Sequence, residues 1–183
     1  MNKLKIRDKI FEVYLEEKEI LEKVSELAQQ IENDYRGKEV LFISILNGSF
    51  VFTADLLRDI DMHLEVSFMK LSSYEGLKST GDVRRLIGVN EDLKNKTVII
   101  LEDIIDTGKT LDGIIEDLYD KGAKEIRVAA LLLKPDAYTG SYKIDYLGFE
   151  IPNDFVIGYG LDWDGLGRNL RSIYRIAGGG DKK

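Results

Sequence analysis

Cysteine does not occur in this chain, and that absence removes disulfides, thiolate nucleophiles and cysteine-ligated zinc or iron–sulfur centres. Histidine occurs once, as His63, so a histidine-rich metal site is excluded as well, and only hard-cation binding by carboxylates stays open. There are two prolines, Pro135 and Pro152, with no low-complexity tract and no internal repeat, so nothing marks a flexible linker. With 183 residues and 44% hydrophobic content, one core and a single domain over 1–183 are expected. No apolar run approaches the ~20 residues of a membrane helix. The first ten residues, MNKLKIRDKI, carry neither the apolar stretch nor the small-residue cleavage site of a secretory signal, so the chain is expected to stay in the cytoplasm. Basic residues are outnumbered, 26 Lys+Arg against 33 Asp+Glu, a net charge of -7. The overall field therefore repels nucleic acid and anionic membrane, and neither is an expected partner. An anionic substrate must be met by local groups.

Apolar residues at Ile20, Val24, Leu27, Ala28 and Ile31 have the spacing of one buried helix face and predict a helix over Glu17 to Asp34. Glu39 to Leu46 reads as a strand, Asn47-Gly48-Ser49 as a tight loop, and Phe50 to Ile60 as a helix. Leu64 to Leu71 is a further predicted strand, running into the polar stretch Ser72 to Gly81, which is read as a long mobile loop. Thr97 to Leu101 and Ile126 to Leu133 are continuous apolar strands of the kind covered on both faces, and Leu111, Ile114, Ile115 and Leu118 mark the helix between them. Past Lys134 the helical period disappears. Short strands are expected around Ile144 to Phe149, Phe155 to Tyr159 and Ser172 to Ile176, forming a smaller appended structure. Alternating strands and helices predict an α/β fold, an open and mostly parallel sheet flanked by helices on both faces.

The chemistry is concentrated in Leu101-Glu102-Asp103-Ile104-Ile105-Asp106-Thr107-Gly108-Lys109-Thr110. It sets acids and a glycine-containing turn at the carboxyl end of a strand, where open α/β sheets bind ligands, and the backbone N–H groups that start the next helix suit a phosphate. Gly108-Lys109-Thr110 matches the end of a nucleotide-triphosphate P-loop, but the first glycine of that motif would fall at Asp103, whose carboxylate repels the phosphate such a loop cradles. Acids at a helix start also complement its dipole, yet Glu102, Asp103 and Asp106 together exceed that need.

Two acids followed by Asp106-Thr107-Gly108-Lys109-Thr110 resemble the phosphoribosyl pyrophosphate motif of the type I phosphoribosyltransferases. Leu46-Asn47-Gly48-Ser49, Ser73-Tyr74, Lys134, Phe155-Val156, Leu161-Asp162 and Arg168 fall in the order and spacing of the hypoxanthine-guanine phosphoribosyltransferases. The resemblance runs from the first predicted helix to Arg168. It implies that phosphoribosyl pyrophosphate and a 6-oxopurine base are the partners, that Mg²⁺ is the cofactor, that a small hood of terminal segments caps the sheet, and that the chain is a homo-oligomer, dimer or tetramer. A sensor that keeps this fold but binds nucleic acid would be expected to carry a basic face or an added segment, and this acidic chain has neither.

Residue roles follow from the same resemblance. Glu102 and Asp103 would hold the ribose hydroxyls, one of them through Mg²⁺, and Asp106 would accept the proton of the base. The backbone of Asp106, Thr107, Gly108, Lys109 and Thr110 would take the 5′-phosphate, with the Lys109 head left in solvent. Leu46, Asn47, Gly48 and Arg168 would bind pyrophosphate, and Asp162, counted with the base-binding residues, would hold a second Mg²⁺ on that pyrophosphate. Lys134 would donate to O6, Phe155 would stack on the purine, and the Val156 backbone would read its edge. Ser73 and Tyr74 would open the lid. By residue type alone Lys134 reads as a surface lysine at a strand end and Phe155 as core, while Arg168 reads equally as a phosphate clamp or as half of a surface salt bridge. Many relatives have lysine where this chain has Asn47, at a step where the family often carries a cis peptide. Lys70, Arg84 and Arg85 are the candidates to supply the missing charge.

Overall fold

A computed structural model describes residues 3–72 and 84–178. Ten strands and three helices follow one another as β1 (Lys3–Ile6), β2 (Lys9–Leu15), α1 (Glu17–Tyr35), β3 (Val40–Leu46), α2 (Phe50–Arg58), β4 (Glu65–Ser72), β5 (Arg84–Ile87), β6 (Thr97–Ile105), α3 (Lys109–Asp120), β7 (Glu125–Leu133), β8 (Tyr146–Glu150), β9 (Val156–Ile157) and β10 (Ile173–Ile176). Six of the strands form one sheet in the order β5-β4-β3-β6-β7-β8. All its pairings are parallel except that between β4 and β5.

The first helix starts where the chain provides for it. The Glu16 N–H donates to Glu19 Oε2 at 3.0 Å, half of a capping box, and Glu17 and Glu19 place negative charge at the positive end of the dipole. Its buried face, Ile20, Val24, Leu27, Ala28, Ile31 and Tyr35, joins α2 on one side of the sheet, packed with Phe42, Ile99 and Leu101. Leu111, Ile114, Ile115 and Leu118 of α3 cover the other side against Leu41, Ile43, Val98 and Ile100. The central strands β3 and β6 are sandwiched between these two layers. That explains why they read as unbroken apolar runs rather than alternating ones.

The remaining strands, β1-β2-β10-β9, make a small antiparallel sheet from the two ends of the described chain, the expected hood. Phe11 is wholly buried, and the Glu17 N–H donates to Ser172 Oγ at 3.1 Å, fastening the hood to α1. Among the described residues no helix is long and apolar enough to cross a membrane.

The structure corrects several expectations. The strand around Ile144 to Phe149 does not belong to the appended structure, because β8 pairs in parallel with β7 at the edge of the main sheet. Its crossover from β7 is irregular rather than helical, so no helical period announced it. The strand beginning at Thr97 runs on to Ile105, since β7 continues to pair with it at Glu102, Ile104 and Ile105. Only Val156 and Ile157 of the stretch from Phe155 to Tyr159 are strand, because Gly158 and Gly160 adopt positive φ values of 96° and 102°. The strands β1, β2 and β5 were not predicted. Of the expected loop at 72–81, Ser72 ends β4 and the rest lies outside the described residues.

Candidate active site

The carboxyl ends of β3, β6 and β7 gather most of the residues singled out by the sequence. Glu102 and Asp103 lie within the last turn of pairing of β6 rather than after it. Asp103 is only 8% exposed, and burial pushes its carboxyl up to about 6, against the pull of nearby backbone N–H groups and Arg168. Burial drives Glu102 well above the usual carboxylate range, with the Asp103 charge adding to it, and Glu102 Oε2 has no hydrogen-bond partner among the described residues. A carboxylate pair this dry is costly unless a ligand meets it.

Beyond Ile105 the chain turns at Asp106 and Thr107, and Gly108, at φ 80°, opens α3. A side chain at Gly108 would run into the Tyr138 ring. Asp106, Thr107, Lys109 and Thr110 are exposed around the helix N-terminus, whose first N–H groups have no acceptor inside the helix. The loop after β7 braces this turn. The Thr139 N–H donates to Thr107 O at 3.0 Å, and the Ser141 N–H donates to both carboxylate oxygens of Asp112, at 3.1 and 3.0 Å. Lys134 begins that loop. Its N–H donates to Ile105 O, and its ammonium lies 3.0 Å from Asp106 Oδ2. The Lys134 side chain is 13% exposed and that of Asp106 55%, so Lys134 is not the surface lysine its residue type suggested.

The Leu46-Asn47 peptide is cis, a point that the resemblance left open for this chain. Beneath it lies a buried hydroxyl cluster, with Ser44 Oγ 2.8 Å from Ser49 Oγ and 2.7 Å from Thr53 Oγ1, while the Ser49 hydroxyl donates to Ile45 O. Gly48 is wedged between two neighbours. A Cβ there would overlap the Asp103 carboxylate, and a Cβ on Gly160 would overlap the Gly48 carbonyl oxygen. Gly160 was missed by the sequence reading, although the repeated glycines of Gly158-Tyr159-Gly160 were a signal of close backbone approach. Tyr138 was missed too, and nothing in the sequence marked it.

Arg168 reaches back across this junction. Its Nη2 lies 2.6 Å from Asp162 Oδ1 and its Nη1 donates to Gly160 O at 2.7 Å, while Asp162 Oδ2 accepts from the Gly165 N–H at 2.7 Å. Phe155 is 40% exposed, contrary to a core reading, and meets Trp163 edge-on with ring centroids 5.0 Å apart. Val156 beside it is buried in β9. Among the described residues no three His, Asp or Glu side chains converge on a common cation position. Lys70 pairs in register with Leu46, and Arg84 and Arg85 lie in β5. Ser73 and Tyr74 lie outside the described residues. A cleft of ≈ 380 Å³ at the opposite, amino-terminal end of the strands involves Tyr35, Glu125, Arg127 and Asp145, with Arg127 paired to Glu125 at 2.7 Å and to Asp145 at 3.2 Å.

Residues 12–164 match the phosphoribosyl transferase domain. The chain belongs to the phosphoribosyltransferase family. It is 45% identical over 165 residues to the hypoxanthine-guanine phosphoribosyltransferase of Lactococcus lactis, covering 89% of this chain and 90% of that protein. To the enzyme of the same name from Aquifex aeolicus it is 38% identical, over 93% of this chain and 97% of that one. Among solved structures it is similar to a hypoxanthine phosphoribosyltransferase from Staphylococcus aureus, with a TM-score of 0.85, 40% identity and 90% of each chain covered. It is also similar to a hypoxanthine-guanine phosphoribosyltransferase from Bacillus anthracis holding a HEPES molecule in its active site, with a TM-score of 0.84, 38% identity, and 90% and 96% of the two chains covered. The mostly parallel sheet with its terminal hood is thus the type I phosphoribosyltransferase fold.

Proposed function

We propose that this chain, acting as one domain, transfers the 5-phosphoribosyl group of phosphoribosyl pyrophosphate to N9 of a 6-oxopurine, hypoxanthine or guanine, giving IMP or GMP and pyrophosphate in the cytoplasm. The observation that carries this reading is the pairing of Lys134 with Asp106 at 3.0 Å on the β6 and β7 loops. A 6-oxopurine presents an acceptor, O6, beside imidazole nitrogens that must lose a proton as N9 attacks. An ammonium donor next to a carboxylate acceptor is the complement of that edge. Adenine would set an amino group, itself a donor, against the Lys134 ammonium, and a site built to donate to an oxygen discriminates strongly against that group.

In the reaction the bond from ribose C1 to pyrophosphate oxygen breaks and the bond from C1 to N9 forms, through an oxocarbenium-like state. Asp106 takes the proton that leaves the base. The N–H groups from Asp106 to Thr110 hold the 5′-phosphate at the start of α3. Glu102 and Asp103 hold the ribose hydroxyls, Arg168 and the Leu46-Asn47-Gly48 loop hold pyrophosphate, and the exposed Phe155 ring stacks on the purine while the Val156 backbone reads its edge. By resemblance Ser73 and Tyr74, outside the described residues, would begin a lid that excludes water, the competing nucleophile.

The carboxylates fit a divalent cation, Mg²⁺ in this reading, since among the described residues Glu102 Oε2 is buried without a partner beside a second buried acid. Glu102 and Asp103 would hold one ion with ribose oxygens and Asp162 another with pyrophosphate oxygens, the sparse protein ligand set usual for magnesium. When bound, the metal supplies positive charge against the departing pyrophosphate. Val66 and Phe68, on one face of β4 and 42% and 40% exposed, support a homo-oligomer, dimer or tetramer. The direct test is incubation with phosphoribosyl pyrophosphate, Mg²⁺ and hypoxanthine or guanine, which yields nucleotide and pyrophosphate in equal amounts. Donor hydrolysis without nucleotide would contradict it.

A further inference from the structure

We propose that Trp163 is a positioning residue of the base pocket, which fixes the plane of the Phe155 ring and so sets affinity for the purine without touching the donor side. The proposal rests on the reading of Phe155 as the stacking surface. Phe155 follows the bend at Pro152-Asn153-Asp154 and precedes β9, so no ladder hydrogen bonds hold it, and its ring is substantially exposed. An exposed aromatic ring with free rotamers loses freedom on stacking, whereas one held in advance does not. The ring contact that holds it is Trp163, at 5.0 Å between centroids and 80° between planes.

Trp163 is itself fixed from both sides. Its N–H donates to Leu166 O at 2.8 Å and its carbonyl accepts from the Leu166 N–H at 3.0 Å, closing a turn in which Asp164 and Gly165 take positive φ values of 51° and 79°. Asp164 pairs with Arg7 of the hood at 2.7 Å, and Asp162, just before Trp163, pairs with Arg168. The indole is therefore set in a braced turn between the hood and the pyrophosphate side. Among the described residues its Nε1 is buried with no hydrogen-bond partner, so its contact with Phe155 is that of an apolar ring. Phenylalanine should then replace it, and alanine should not.

The test is steady-state kinetics of the full chain with Mg²⁺, phosphoribosyl pyrophosphate and guanine. An edge-to-face pair is worth ~0.5–1.5 kcal/mol, so W163A should raise the KM for guanine about three- to tenfold. KM for the donor and kcat should stay within about twofold by the same reasoning, and W163F should restore the guanine KM. F155A should raise it too, and adding W163A to F155A should change nothing further. If F155A raises the guanine KM while W163A does not, or if W163A disturbs both KM values and kcat alike, the positioning role is overturned and stacking survives. If F155A leaves the guanine KM unchanged, the stacking reading itself falls. Trp163 is the single tryptophan of the chain, so a second readout needs no variant. Saturation of the wild-type chain with GMP should quench its emission, and unchanged emission would overturn the proposal even if W163A fails to fold.

Discussion

Lys134 and Asp106, 28 residues apart in sequence, meet at 3.0 Å, with the cation nearly buried and the carboxylate half open to solvent. The enclosed partner is the one suited to discriminate, and the accessible one is suited to exchange a proton. Replacing Lys134 by alanine is expected to lower kcat/KM for 6-oxopurines by roughly 10- to 100-fold, the worth of one hydrogen bond to a charged group, while the donor KM holds. Initial rates at varied base and fixed donor give the answer, and unchanged base selectivity would return Lys134 to a purely structural part.

Asp106→Asn keeps the size of the side chain and removes its proton affinity. Turnover is expected to fall by about 10²- to 10⁴-fold, the usual range for loss of a positioned acid or base. Donor binding, followed by calorimetry, should stay close to wild type. Loss of donor binding instead would make Asp106 part of the phosphate loop.

Asp103 predicts a trade between stability and activity. Its carboxyl titrates near 6 in the folded chain against 3.8 when unperturbed. Between those values the folded state keeps a proton that the unfolded state has lost, so this group's contribution to stability falls as pH rises through that window. Asp103→Asn removes the charged form. Measured by urea unfolding in EDTA, its advantage over wild type should be near zero around pH 4 and grow to about 3 kcal/mol above pH 6, from roughly two units at ~1.4 kcal/mol each. An advantage that does not change with pH would contradict the burial of Asp103, and transferase activity should be lost in the same variant.

Gly160 is held at φ 102° against the Gly48 carbonyl while its own carbonyl accepts from Arg168. Gly160→Ala is expected to cost about 1–3 kcal/mol in denaturant unfolding, from strain and overlap together, and to raise the donor KM. Wild-type values for both would show that the two loops do not need their close approach.

Much of this architecture was legible in the residues. The strands β3, β6 and β7 announced themselves because both faces are covered, and α1 and α3 because one face is. The acids of β6 and the turn at Gly108 were legible because charge and glycine are unusual at the end of an apolar strand. What lay beyond reach depends on pairing between distant segments. The crossover to β8 is held by Thr139 on Thr107 and Ser141 on Asp112, contacts that leave no local period. The hairpin of β1 and β2 turns on Arg7 at φ 53°, a residue with no turn preference, and its strands are half exposed and rich in lysine. The exposure of Phe155 and the burial of Lys134 run against their residue types, so composition and period could not give them.

One spectrophotometric assay decides which bases the enzyme accepts. Purified chain with Mg²⁺ and phosphoribosyl pyrophosphate is given hypoxanthine, guanine, xanthine, adenine, uracil or orotate in separate reactions. Rapid nucleotide formation with hypoxanthine or guanine, and none with adenine or the pyrimidines, is the predicted result. Turnover of adenine at a comparable rate, or no turnover of any base despite measurable donor binding, would contradict it.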